Sequence, residues 1–190
     1  MSPGILESSL TIIMGSWQMQ IRHTFGFLLT GFTTADGEYL PRLVQERGLP
    51  LTTTIRSFHE RLASAPPEAQ ERTQAIFDLV GPSLRAYADA GVTLLFGTDF
   101  DGAGLDPDPG EAVRSEARAL VAAGFSELEV ISMATGNASQ HPMVPAALGT
   151  IEAGKLADLL ILAADPLEDI SAVTRPLLVI KEGRIVIDKR

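Results

Sequence analysis

Residues 92 to 96 read VTLLF, apolar at nearly every position. A strand that alternated between a wet face and a dry one would alternate in polarity, and this one does not. It must be covered on both sides, which in practice means a parallel sheet between layers of helix. The flanks agree. Residues 68 to 90 carry Ile76, Leu79 and Val80 on one helical face, with Pro82 as a break or restart, and Gly91 ends the segment. Residues 111 to 123 put Val113, Ala117, Leu120 and Val121 on one stripe, with Gly124 after them. Upstream, residues 36 to 48 predict a short helix with Leu40, Leu43, Val44 and Arg47 on one face. Pro41 lies near its start, where a missing N–H is tolerated, and Gly48 stops it. LPLTTTI, residues 49 to 55, is rich in β-branched residues and reads as a strand. Ser126 and Glu129 have capping-box spacing for a further helix that runs to about residue 138.

The end of the chain follows another rule. DLLIL (158–162), LLVIK (177–181) and RIVI (184–187) are strands with no helix between them, and Glu182-Gly183 joins the last two as a tight hairpin. Strand–helix alternation followed by a β-rich tail defines an α/β chain with a small appendage.

The apolar strand ends in Gly97, Thr98 and Asp99. In parallel α/β folds, chemistry gathers at the carboxyl ends of strands. Gly97 permits close backbone approach. Asp99 there can bind a divalent cation or take a proton from a metal-bound water; it can equally cap the next turn. With no cysteine and three histidines in 190 residues, any transition-metal site must use His, Asp, Glu or a modified Lys. The net charge of −9 argues against a nucleic-acid partner. No stretch reaches the roughly 18 apolar residues of a membrane span. The first residues lack a basic start and carry Glu7, so no signal peptide is read, and a cytoplasmic location is expected. Neither a GxGxxG or P-loop pattern nor a GxSxG elbow is present.

Beyond the strand tip come EARALVAAGFSELEVISMATGNAS, then LGTIEAGKLADLLILAADPLEDI, then VIKEGRIV. In order and spacing this string resembles the C-terminal part of the metal-dependent amidohydrolase superfamily, with imidazolonepropionase-like and dipeptidase-like enzymes the nearest branch. The resemblance implies the last three or so strand–helix units of a (β/α)8 TIM-like barrel, plus the C-terminal strands of a small β-sandwich. It divides the chain into residues 1–20, unmatched to the family, 21–145 as barrel and 146–190 as β-rich tail. It implies hydrolysis of an amide, cyclic amide or peptide-like C–N bond in a small-molecule substrate, with one or two divalent metals, usually zinc. Asp99 takes the place of the last-strand aspartate, a metal ligand and proton acceptor. His23, in QIRHTFGFLL, takes that of the strand-six histidine, a ligand to metal or substrate; Arg22 beside it falls on the opposite strand face. From the residues alone, His23 is equally a surface or core histidine.

His59 and His141 are given no role. Asp101, Asp106 and Asp108 read as a solvated acidic loop, and Lys155 and Asp158 as turn and packing residues. The family's HxH pair, its strand-four lysine and its strand-five histidine have no counterpart, and a complete barrel needs roughly 250 residues. The chain is therefore expected to have little activity alone. It is a fragment, or a half completed by a separate N-terminal half or by its own copies, or a non-catalytic remnant that binds a ligand or partner.

Overall fold

The computed structural model describes residues 39–56, 66–99, 108–141 and 144–190. Within them the chain is α/β. Helix α1 spans Tyr39–Glu46, strand β1 Leu51–Thr52, helix α2 Pro67–Asp89, strand β2 Leu94–Leu95, helix α3 Pro109–Ala122 and helix α4 Glu127–Ala134. A short 3₁₀ turn at Ala138–Gln140 follows. The tail holds β3 Leu159–Leu162, a 3₁₀ helix Ile170–Thr174, β4 Pro176–Lys181 and β5 Arg184–Asp188.

Strands β1 and β2 pair in parallel, Leu51 with Leu94 and Thr52 with Leu95, as the unbroken apolar run requires. Both β2 residues are buried. The other side of β2 is met by α4 and its exit: Phe96 N–H donates to Met133 O at 3.2 Å, and Asn137 Nδ2 donates to Leu94 O at 3.0 Å. The asparagine of the MATGNA stretch thus ties a loop to a strand backbone. The core joins Leu40 and Val44 of α1, Val80, Leu84 and Tyr87 of α2, Leu120 of α3, and Val130 and Met133 of α4.

Helix α2 runs through Pro82 without a break, so the expected restart is not there. Leu79 is 45% exposed while Val80 is buried, and the apolar stripe of α2 is rotated from the one read in the sequence. Ile76's side chain lies outside the described set. Arg47 is exposed beyond the end of α1; Pro41 takes the buried place beside Leu40 and Val44. Helix α4 ends at Ala134, four residues short of expectation, because Thr135 leaves helical geometry.

The capping box at Ser126 is complete: Glu129 N–H donates to Ser126 Oγ at 3.3 Å and Ser126 N–H to Glu129 Oε2 at 2.8 Å. Glu129 also meets Arg85 of α2 at 2.7 Å, and the Arg85 guanidinium lies 4.1 Å over the Phe125 ring. Ser126→Ala should lower the unfolding free energy by about 1 kcal/mol, read as a shifted urea midpoint at unchanged slope.

In the tail, β4 lies between β3 and β5, antiparallel to both. Glu182 and Gly183 have φ of 51° and 78°, the paired left-handed turn of a two-residue hairpin. Asp158 accepts from Glu182 N–H at 2.7 Å and pairs with Lys181, and Lys155 pairs with Glu152 at 3.4 Å, so both act as turn residues. The tail's 3₁₀ helix is held to α3 by Arg118 Nε to Ser171 Oγ, 2.7 Å, and Arg114 Nε to Thr174 Oγ1, 3.0 Å. Among the described residues no helix is long and apolar enough to cross a membrane.

Candidate active site at the strand tips

The parallel pair points the ends of β1 and β2 the same way. Past β1 the chain leaves extended geometry at Thr54, whose φ is 111°. A β-branched residue there is strained by about 1–3 kcal/mol, so its surroundings must hold it. Past β2, Gly97 approaches β1 so closely that an added Cβ would collide with Thr52 Cγ2 and touch Thr54 Cγ2 at 3.5 Å. Only glycine fits, and Gly97 N–H reaches Thr53 Oγ1 at 3.3 Å. Asp99, two residues on, is exposed, with φ 50°.

Two charged side chains lie buried beneath these tips, Arg56 (3% exposed) and Glu116 (0%). Glu116 projects from α3. Its Oε1 accepts from Thr54 N–H and its Oε2 from Arg56 N–H, each at 2.8 Å. Arg56 reaches across to the second tip. Its Nε donates to Thr98 O, and its Nη2 makes a long 3.4 Å contact with Asp99 O. Burial pushes the Glu116 carboxyl up to about 7, against the Thr53 hydroxyl, the backbone N–H groups of Arg56 and Ile55, and the Arg56 charge, which pull it down.

Of the residues singled out in the sequence, Asp99 stands at the tip. His23, His59, Asp101 and Asp106 lie outside the described residues. Asp108 is a helix cap, accepting Gly110 N–H at 2.8 Å. His141 is half-buried at the exit of the 3₁₀ turn. Sequence reasoning missed Arg56 and Glu116. Glu116 lies beside Ala117 on the buried side of α3, a charge on an otherwise small and apolar face, and that was the available signal.

Among the described residues, no group of three or more His, Cys, Asp or Glu could hold a metal ion. Asp99 by itself does not fit one, since catalytic zinc takes three protein ligands. What the described tips offer is one solvent-facing carboxylate on a backbone fixed from below.

The chain was compared with known proteins. No curated protein matches it in sequence. Among solved structures, A. niger ochratoxinase is 28% identical with a TM-score of 0.65, over 78% of this chain and 34% of that one. A Xaa-Pro dipeptidase with bound methionine in its active site is 27% identical with a TM-score of 0.60, over 77% of this chain and 36% of that one. Phenylurea hydrolase B, 22% identical at a TM-score of 0.54 over 80% of this chain and 36% of that one, shares the fold. The chain thus spans little more than a third of these structures. A family model described as the amidohydrolase family matches residues 42–186, running from α1 through both strand tips and Glu116 to the last hairpin, and the chain belongs to that family.

Proposed function

We propose that this chain is the C-terminal portion of a metal-dependent hydrolase of C–N bonds, the end of a (β/α)8 barrel with part of its β-sandwich, and that Asp99 is its reactive carboxylate. The observation that carries this is the position of Asp99, at the open end of a parallel pair inside the matched region. A carboxylate there can take a proton from an attacking water. No step through a metal follows from the described residues, because their donor set is too small. The missing donors come from residues outside the described set, His23 among them, or from a partner. Exposed Leu160, Ile161, Ile185, Val186 and Ile187 on the outer strands of the tail sheet favour a partner that completes it.

The test is elemental analysis and turnover of the purified 190-residue chain, first with an Xaa-Pro dipeptide, the substrate class in the name of one similar structure. Alone, with zinc supplied, the chain should hold well under one equivalent of metal and show no turnover. A complementing N-terminal half should restore both, and Asp99→Ala should remove both. Turnover by the chain alone that is lost with chelator and with Asp99→Asn would overturn the reading of an incomplete site.

A further inference from the structure

Glu116 is a fully buried carboxyl side chain, and the proposed function gives it no task. Its geometry suggests one. The two carboxylate oxygens accept from two different backbone N–H groups, Thr54 and Arg56, at 2.8 Å each. Between them they hold the turn in which Thr54 sits at φ 111°. Fixing the Arg56 backbone fixes the root of its side chain. The guanidinium then donates to the carbonyls of Thr98 and Asp99. Asp99 itself sits at a φ of 50°, left-handed geometry that Asp adopts more readily than most side chains, with its carbonyl facing the Arg56 guanidinium. We infer that Glu116 is a positioning residue for Asp99, acting through the β1 tip and Arg56 rather than by touching the reacting groups. The functional meaning of this coupling rests on the reading of Asp99 as the reactive carboxylate; the coupling itself does not.

The chemistry requires a carboxylate. A glutamine has one acceptor oxygen, and its amide would set N–H against N–H, leaving a buried donor unsatisfied. A role confined to satisfying local donors would end at residues 53–56. A positioning role must reach residues 98 and 99 and must pass through Arg56.

The experiment is NMR on the full chain well above pH 7, to keep Glu116 ionised against the burial that raises it. Carbonyl ¹³C shifts of Thr98 and Asp99 report the bonds from Arg56, and amide exchange of Thr54 and Arg56 reports the bonds to Glu116. Glu116→Gln should speed exchange of at least one of those amides by about tenfold or more. It should also move both carbonyl shifts, while the tail sheet stays unchanged. Arg56→Lys keeps the charge but not the two-pronged donor; it should move the same carbonyls and leave Thr54 exchange near wild type. The double variant should move the carbonyls no further than the larger single change, since one path carries both effects. Glu116→Gln changes confined to residues 53–56, or carbonyls unmoved in Arg56→Lys, would overturn the inference. Where Glu116→Gln does not fold, Glu116→Asp takes its place: a carboxylate one methylene short of the β1 tip should quicken exchange at Thr54 or Arg56 and move both carbonyls, and carbonyls left unmoved would overturn the inference. Coupling that persists while Asp99→Ala spares metal and turnover in the complemented protein would sink the functional reading and leave the positioning intact.

Discussion

Leu120→Ala should lower the unfolding free energy by about 2–5 kcal/mol, the loss expected from truncating a fully buried leucine. Leu120 is 0% exposed on α3, within the cluster that joins α1, α2, α3 and α4. Removing its branch forfeits transfer energy and leaves a cavity that a packed core closes only in part. The cost should be felt at the site as well, because α3 carries Glu116 one turn earlier. Leu128→Ala is the control: that side chain is 61% exposed on α4 and should change stability by less than about 0.5 kcal/mol. Urea unfolding of both variants checks the contrast, with a fallen midpoint for Leu120→Ala only. Equal effects would mean that α3 is not packed as described.

The elements and their order were legible in the sequence, because each rests on a local rule. The apolar β2 run required a parallel neighbour, and β1 is that neighbour. Ser126 and Glu129 fixed the start of α4, and Glu182-Gly183 fixed the hairpin. Extent was less legible. The β-branched run at 49–55 reads as a full strand, yet among the described residues the strand is Leu51–Thr52, with one further bond from Thr53 N–H to Leu95 O at 2.8 Å before Thr54 turns at φ 111° and its N–H meets Glu116. Pro82 looks like a helix break, but α2 continues through it, with Gly81 close against Ala123 and Ser83 Oγ donating to Leu79 O of the same helix. Of the candidate site, the position of Asp99 was legible. Asp99 follows from its place at a strand tip. Arg56 and Glu116 do not, because they meet across 60 residues of chain and no spacing rule connects them. Asn137 has no local reason for its place in MATGNA; its side chain bonds the β2 backbone 43 residues away.

The pH dependence of stability should carry the mark of Glu116. In the folded chain its proton is held up to about 7, and in the unfolded chain it leaves near the ordinary 4.5. Between those values the folded state binds the extra proton, so this group makes stability fall as pH rises from about 4.5 to 7. Below the window both states are protonated, above it both are ionised, and the contribution is flat on either side. The amplitude for so buried a group is roughly 3 kcal/mol. Other carboxylates work in the opposite sense: Arg85 holds Glu129 down to about 2, and its contribution is lost at acid pH. The wild-type curve alone therefore mixes signs. The difference between wild type and Glu116→Gln isolates the one group, since Gln resembles the protonated acid and lacks its titration. The Gln variant should gain on wild type by roughly 3 kcal/mol as pH rises through the window, measured by urea unfolding at several pH values. The opposite slope would show that two backbone N–H bonds, the Thr53 hydroxyl and the Arg56 charge outweigh burial. The carboxylate would then be ionised well below 7, and its hold on the β1 tip would persist into acid.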